Sequence, residues 1–326
     1  MLQLDNAVLS KIVDAGIRLK SDEVVGQVLA TVFYRYKDGT PDLIDEMIMP
    51  GVAYFTGRRD ARWVNHAWFL PKDTSPLEKL TAAQVDAVLK SLIHLPRIET
   101  HAERILGILA DTYPERVFDF FRDRLKFSTE RDDDGSYEAI PFHFYSLQQQ
   151  FSGLADHAVD TVRRWFVRGD PLFQFTGGRL IASSFPNVPD ALRQKLSSYV
   201  RLNVREEAEF VVRLLSSYRG EPFLYETCKE LVQSLPVDDS LLSNVQIILQ
   251  TTGGVFGEFG FVEAHQTKRE AMVPWLSDND EKVRSFAEQY IGLLDRQIAA
   301  EQRRSEEDLE MRKRMYDDPK GGVEQN

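Results

Sequence analysis

Ala271-Met272-Val273-Pro274-Trp275-Leu276-Ser277-Asp278-Asn279-Asp280-Glu281-Lys282-Val283-Arg284-Ser285-Phe286-Ala287-Glu288-Gln289-Tyr290-Ile291-Gly292-Leu293-Leu294 decides the fold. Its second half carries Val283, Phe286, Ala287, Tyr290, Ile291 and Leu294 at spacings of three and four, which puts them on one stripe of a helix. Asp278 or Asp280 can cap that helix by accepting from its first free N–H groups. Pro274 sits inside the preceding segment, and Ser277 to Asp280 break it. The stretch reads as two helices joined by a short polar turn.

The same pattern extends toward the N-terminus. Val85, Val88, Leu89 and Leu92 form a stripe within Ala82–Ile93, followed by Ala102, Ile105, Leu106 and Leu109. Val117, Phe120, Phe121 and Leu125 form the next, with Pro114 placed where a helix tolerates a missing N–H. Further stripes are Ala158, Val162, Trp165 and Phe166; then Ala208, Val211, Val212 and Leu215; then Leu224, Cys228, Leu231 and Leu235; then Val245, Ile248 and Leu249. The helices are short and their breaks carry Gly, Pro, Asp or Asn. Residues 100–110 pair with 114–126, 205–218 with 221–235, and 268–277 with 281–296 as hairpins. Met49–Phe55 and Phe173–Phe175 are the sparse candidates for extended chain, and neither alternates well. The expectation is an all-α protein.

Pro274, Asp278, Val283, Arg284 and Ala287 stand where a HEAT repeat has its inner proline, turn aspartate, Val-Arg pair and spaced alanine, so residues 268–296 resemble that family. The other hairpins lack the Asp…Val-Arg signature. The resemblance implies an α-solenoid over residues 1–296: short helix hairpins stacked at right angles, each burying its apolar side against the next. Residues 297–316 then form a charged helical extension and 317–326 a frayed tail. Tyr113–Phe121 and Tyr137–Phe142 are also similar to helical-repeat regions of large bacterial signalling NTPases, some of them in antiphage defence. That resemblance implies a sensor or interaction part working beside a separate nucleotide-binding part.

Composition narrows the function classes. Forty Lys and Arg against 51 Asp and Glu give a formal net charge of −11. Such a chain repels phosphate backbones and anionic lipids at long range, which makes nucleic acid an unlikely partner class. The single cysteine, Cys228, excludes a disulfide within the chain and lies in an apolar stripe. No run of about 20 apolar residues is present to span a bilayer, and the N-terminus lacks a basic region followed by an apolar run. A cytoplasmic setting without membrane contact is expected.

Catalytic motifs are absent. Gly253-Gly254-Val255-Phe256-Gly257-Glu258-Phe259-Gly260 lacks the Gly-Lys-Ser/Thr of a phosphate loop, and Glu258 would repel phosphate. It reads as a loop whose Phe256 or Phe259 can form a contact tip. No two of the six histidines have helical metal-pair spacing, so no metal and no cofactor are expected. Within the charged residues 297–316, Leu309, Met311 and Met315 are candidates for docking a partner. Arg58 to Phe69 interleaves basic and aromatic residues; Asp60, Trp63 and Trp68 would be the constellation of a HEAT-like DNA glycosylase. The competing reading is an amphipathic helix. The expected function is a non-catalytic interaction scaffold, adaptor or sensor subunit for a protein partner, with the glycosylase as the alternative.

Overall fold

A computed structural model describes residues 5–35, 41–67, 75–130, 136–167, 171–218, 220, 223–251 and 256–317, apart from the side chains at positions 35, 41, 171–175 and 315–317. Among them every regular element is helical. The chain divides into two compact units, Met1–Leu192 and Arg193–Asn326.

The first unit begins with α1 (Asn6–Arg18) and α2 (Asp22–Arg35), which pack on each other. A π-helical turn, Ile44–Ile48, leads into α3 (Met49–Gly57). This stretch, a candidate for extended chain, is helical. Pro50 sits in the first turn, where it costs no hydrogen bond. Gly51 faces α2 so closely that a Cβ there would lie 2.8 Å from Leu29 Cδ2. α4 (Ala82–Leu92) opens with a capping box between Thr81 and Gln84. α5 (Thr100–Thr112) and α6 (Pro114–Thr129) pair with each other, and α6 also packs on α4. The predicted stripes of α4, α5 and α6 are buried. α7 (Leu147–Phe151) and α8 (Ala155–Val167) follow, then α9 (Pro171–Ser184), which contains the other stretch considered as extended chain. α10 (Asp190–Val200) runs across the division between the units.

In the second unit α11 (Arg205–Leu215) packs on α13 (Leu241–Gln250), and α12 (Phe223–Ser234) lies against both α13 and α15 (Glu281–Asp317). α14 (Gly260–Met272) pairs with α15 through the 3-10 turn Val273–Ser277. α14 starts earlier than its apolar pattern suggests, because its buried set is Gly260, Val262, Lys268 and Met272. Lys268 occupies a core position, and its Nζ donates to the Gln250 carbonyl at the end of α13. A lysine in the stripe hides the period; the cation satisfies a carbonyl that α13 itself leaves free.

Candidate functional site

The closing hairpin α14–α15 is built by local rules. Asp280 Oδ1 accepts from Lys282 N at 2.8 Å, and Asp278 Oδ1 accepts from Asp280 N at 2.9 Å. Arg284 Nη1 donates to the carbonyls of Asp278 (2.7 Å) and Asn279 (3.0 Å), closing the turn from the helix side. Pro274 lies in the first turn of the 3-10 segment. Val283 and Ala287 are fully buried. Asp278 also pairs with Lys229 of α12; that bond, with the Asp280 amide, holds its carboxyl below the usual range. Lys282 Nζ donates to the Gln233 and Leu235 carbonyls at the end of α12. The turn thus pins neighbouring helices as well as capping its own.

α15 continues well past this core. Residues 256–259 lie against its distal part: Arg312 Nη1 donates to Glu258 Oε1 at 2.6 Å, and Ser305 Oγ to the Glu258 carbonyl at 2.9 Å. Gly257 holds φ +91°, which glycine enters freely and other residues do not. Glu258, between Phe256 and Phe259, is thus bonded to the residue that follows Met311. Phe256 is 88% exposed, Met311 58% and Phe261, in the first turn of α14, 53%. Phe259 is also exposed and Leu309 is half-buried. The Met315 side chain lies outside the described residues. Phe261 is the member sequence reading missed. It follows Phe259 closely in the chain, but the Gly-rich run obscures the helix that presents it. The spacings of 297–316 invite several ion pairs four apart; Glu310–Arg314 closes at 3.5 Å, while Arg312 turns to Glu258.

The first unit carries a second exposed aromatic group, on the irregular segment 136–146. Arg124, fully buried on α6, donates to the carbonyls of Leu92 (3.1 Å), Leu95 (2.8 Å), Glu138 (2.6 Å) and Ala139 (3.0 Å). Burial pulls its pKa down to about 10, still well above neutrality. Its guanidinium lies 4.5 Å from the Tyr137 ring centroid. Glu103 of α5, also buried, accepts from the amides of Tyr145 (2.5 Å) and Ser146 (2.6 Å) with one carboxylate oxygen. Ser183 Oγ donates to the Phe142 carbonyl at 3.0 Å. What this frame leaves outside is Phe142, 70% exposed, and Tyr145, 87% exposed. Arg124 lies seven residues after Val117, on the apolar stripe of α6. That position was the available signal for it.

Of the Arg58–Phe69 cluster, residues 58–67 are described. Trp63 is buried, stacked near Phe33 with centroids 6.4 Å apart, and its indole N–H donates to Ser91 Oγ at 2.9 Å. Asp60 accepts from Arg62 N (2.8 Å) and Nε (2.6 Å), as a turn-closing carboxylate does. Asp22, below its usual range chiefly through the Tyr54 hydroxyl bond, also receives Arg58 and Arg62. Trp68 lies outside the described residues. Arg62–His66 is a short 3-10 helix with Trp63 and Val64 buried.

Cys228 is fully buried, and burial pushes its thiol pKa far up, away from a reactive thiolate. Among the described residues no group of three His, Cys, Asp or Glu side chains is placed to hold a metal ion. Among them, too, no helix is long and apolar enough to cross a membrane. No protein-family model matches the chain, and no curated protein matches it.

Proposed function

We propose that this chain is a non-catalytic scaffold or adaptor that docks a protein partner. The observation that carries the reading is the exposure of Phe256, Phe259, Phe261 and Met311 on segments joined by the Glu258 bonds to Arg312 and Ser305. Aromatic and methionine side chains are the types enriched at the centres of protein interfaces. Several large apolar groups in one exposed place mark an interaction surface better than scattered ones do. The helices stack, in this reading, as a HEAT-like α-solenoid, supported by the capped Asp278–Ala287 hairpin and by packing of α11 on α13 and of α12 on α15. The partner, from the resemblance of Tyr113–Phe121 and Tyr137–Phe142, is a separately encoded NTPase or effector of a bacterial defence or signalling system.

Affinity purification of the tagged chain from its native host, followed by mass spectrometry, tests this. A single stoichiometric protein partner is expected. Recovery of the chain alone at moderate salt would remove the reading.

A further inference from the structure

A cavity of about 540 Å³ opens in the first unit between α6, the 136–142 segment and α9. That volume lies in the range of small-molecule sites. Two guanidinium groups line it, Arg97 and Arg179, against one carboxylate, Glu138. Arg97 is exposed and makes no hydrogen bond or ion pair among the described residues. Arg179 is only partly satisfied. Its Nη2 donates to Glu138 Oε1 at 3.2 Å and to the Ile140 carbonyl, while its Nε is buried without a partner. A buried guanidinium N–H left unpaired costs free energy, and a ligand oxygen is one way to recover it. Behind the lining, Arg124 adds a third positive charge and fixes the Glu138 and Ala139 carbonyls. Among the described lining residues guanidinium groups thus outnumber carboxylates, in a chain whose formal net charge is −11.

The rim supplies a flat apolar surface. The Arg179 guanidinium carbon lies 4.0 Å from the Phe142 ring centroid, which fixes one side of that ring. The ring is nonetheless 70% exposed. A planar group can stack on it, and a guanidinium-backed ring is well suited to this. Guanidinium groups also match phosphate oxygens in geometry and charge.

The geometry points to a binding site for a phosphorylated ligand of mononucleotide size, its phosphate between Arg97 and Arg179 and its flat ring on Phe142. This site shares no residue with the Phe256–Met311 group and does not depend on the scaffold reading. Isothermal titration of the full chain with the four ribonucleoside 5′-monophosphates, and with inorganic phosphate, tests it. At least one nucleotide binds, and more tightly than phosphate. Arg97→Ala weakens both ligands about tenfold or more, the loss expected for charge-assisted bonds. Phe142→Ala weakens the nucleotide and leaves phosphate unchanged. Both residues are exposed, so neither substitution threatens folding; an unchanged far-ultraviolet circular dichroism spectrum checks this. The proposal is overturned if no nucleotide binds at concentrations up to about 1 mM. It is equally overturned if phosphate binds as tightly as every nucleotide, or if either substitution leaves nucleotide affinity intact.

Discussion

Phe142 and Tyr145 in the first unit, and Phe256, Phe261 and Met311 in the second, are all left in solvent, yet different physics holds them there. The first pair sits on irregular chain whose backbone groups are satisfied by buried charged side chains, Arg124 and Glu103. The second group sits at the edge of regular helices and is tethered by the exposed Arg312–Glu258 pair. A buried charge that bonds several backbone groups is costly to remove, because its partners are then left unsatisfied. An exposed ion pair contributes little. Segment 136–146 is thus a fixed platform, suited to a small ligand that needs preformed geometry. The second cluster is an adjustable edge, suited to a larger partner.

Arg124→Met is expected to have the largest effect. It leaves the carbonyls of Leu95, Glu138 and Ala139 without this donor, while that of Leu92 keeps the Leu95 amide, and should cost about 3–5 kcal/mol in urea unfolding. A cost below about 1 kcal/mol would show that water replaces the guanidinium, and the contrast between the regions would fail. Glu103→Ala should cost about 1.5–3 kcal/mol, with faster hydrogen exchange at the Tyr145 and Ser146 amides. Unchanged exchange there would break the link between the carboxylate and the platform. Asp280→Ala removes the cap of α15 and should cost about 1 kcal/mol, the scale of local rules in the second unit.

A further test in the second unit is a pH dependence. Burial pulls the Lys268 pKa down from 10.5 to about 8. Between those values the unfolded chain binds more protons at this group than the folded chain does, so stability contributed by this group rises with pH. Below about 8 both states carry the charge and the burial penalty is fully present. Wild type should therefore gain on Lys268→Met as pH rises from about 8 to 10.5, read as the difference between their urea midpoints. A difference that is flat with pH would place the ammonium in water instead of at the end of α13.

Helical periodicity made most of α4, α5, α6 and α11 to α13 legible, because their apolar residues alone fill the stripe. The cap of α15 was legible as one of two residues, Asp278 or Asp280, because its bonds run between residues close in the chain. Lys268 was hidden because a charged side chain takes a core position; Arg124 was marked only by its place on the stripe, and the partners of both are carbonyls that sequence cannot mark. Segment 136–146 was opaque throughout, since Arg124 and Glu103 reach it from helices 14 to 43 residues away. Of the candidate contact residues, Phe256, Phe259, Leu309 and Met311 could be named one by one. Their nearness depends on Glu258 meeting Arg312 across 54 residues, which no local pattern encodes.

The most direct test of the docking account is a repeat of the native-host capture with Phe256→Ser/Phe261→Ser/Met311→Ser beside Phe142→Ala. All four positions are exposed, so both proteins should fold. The account predicts that the triple variant loses the stoichiometric partner while the Phe142 variant keeps it. Retention of that partner by the triple variant would contradict it.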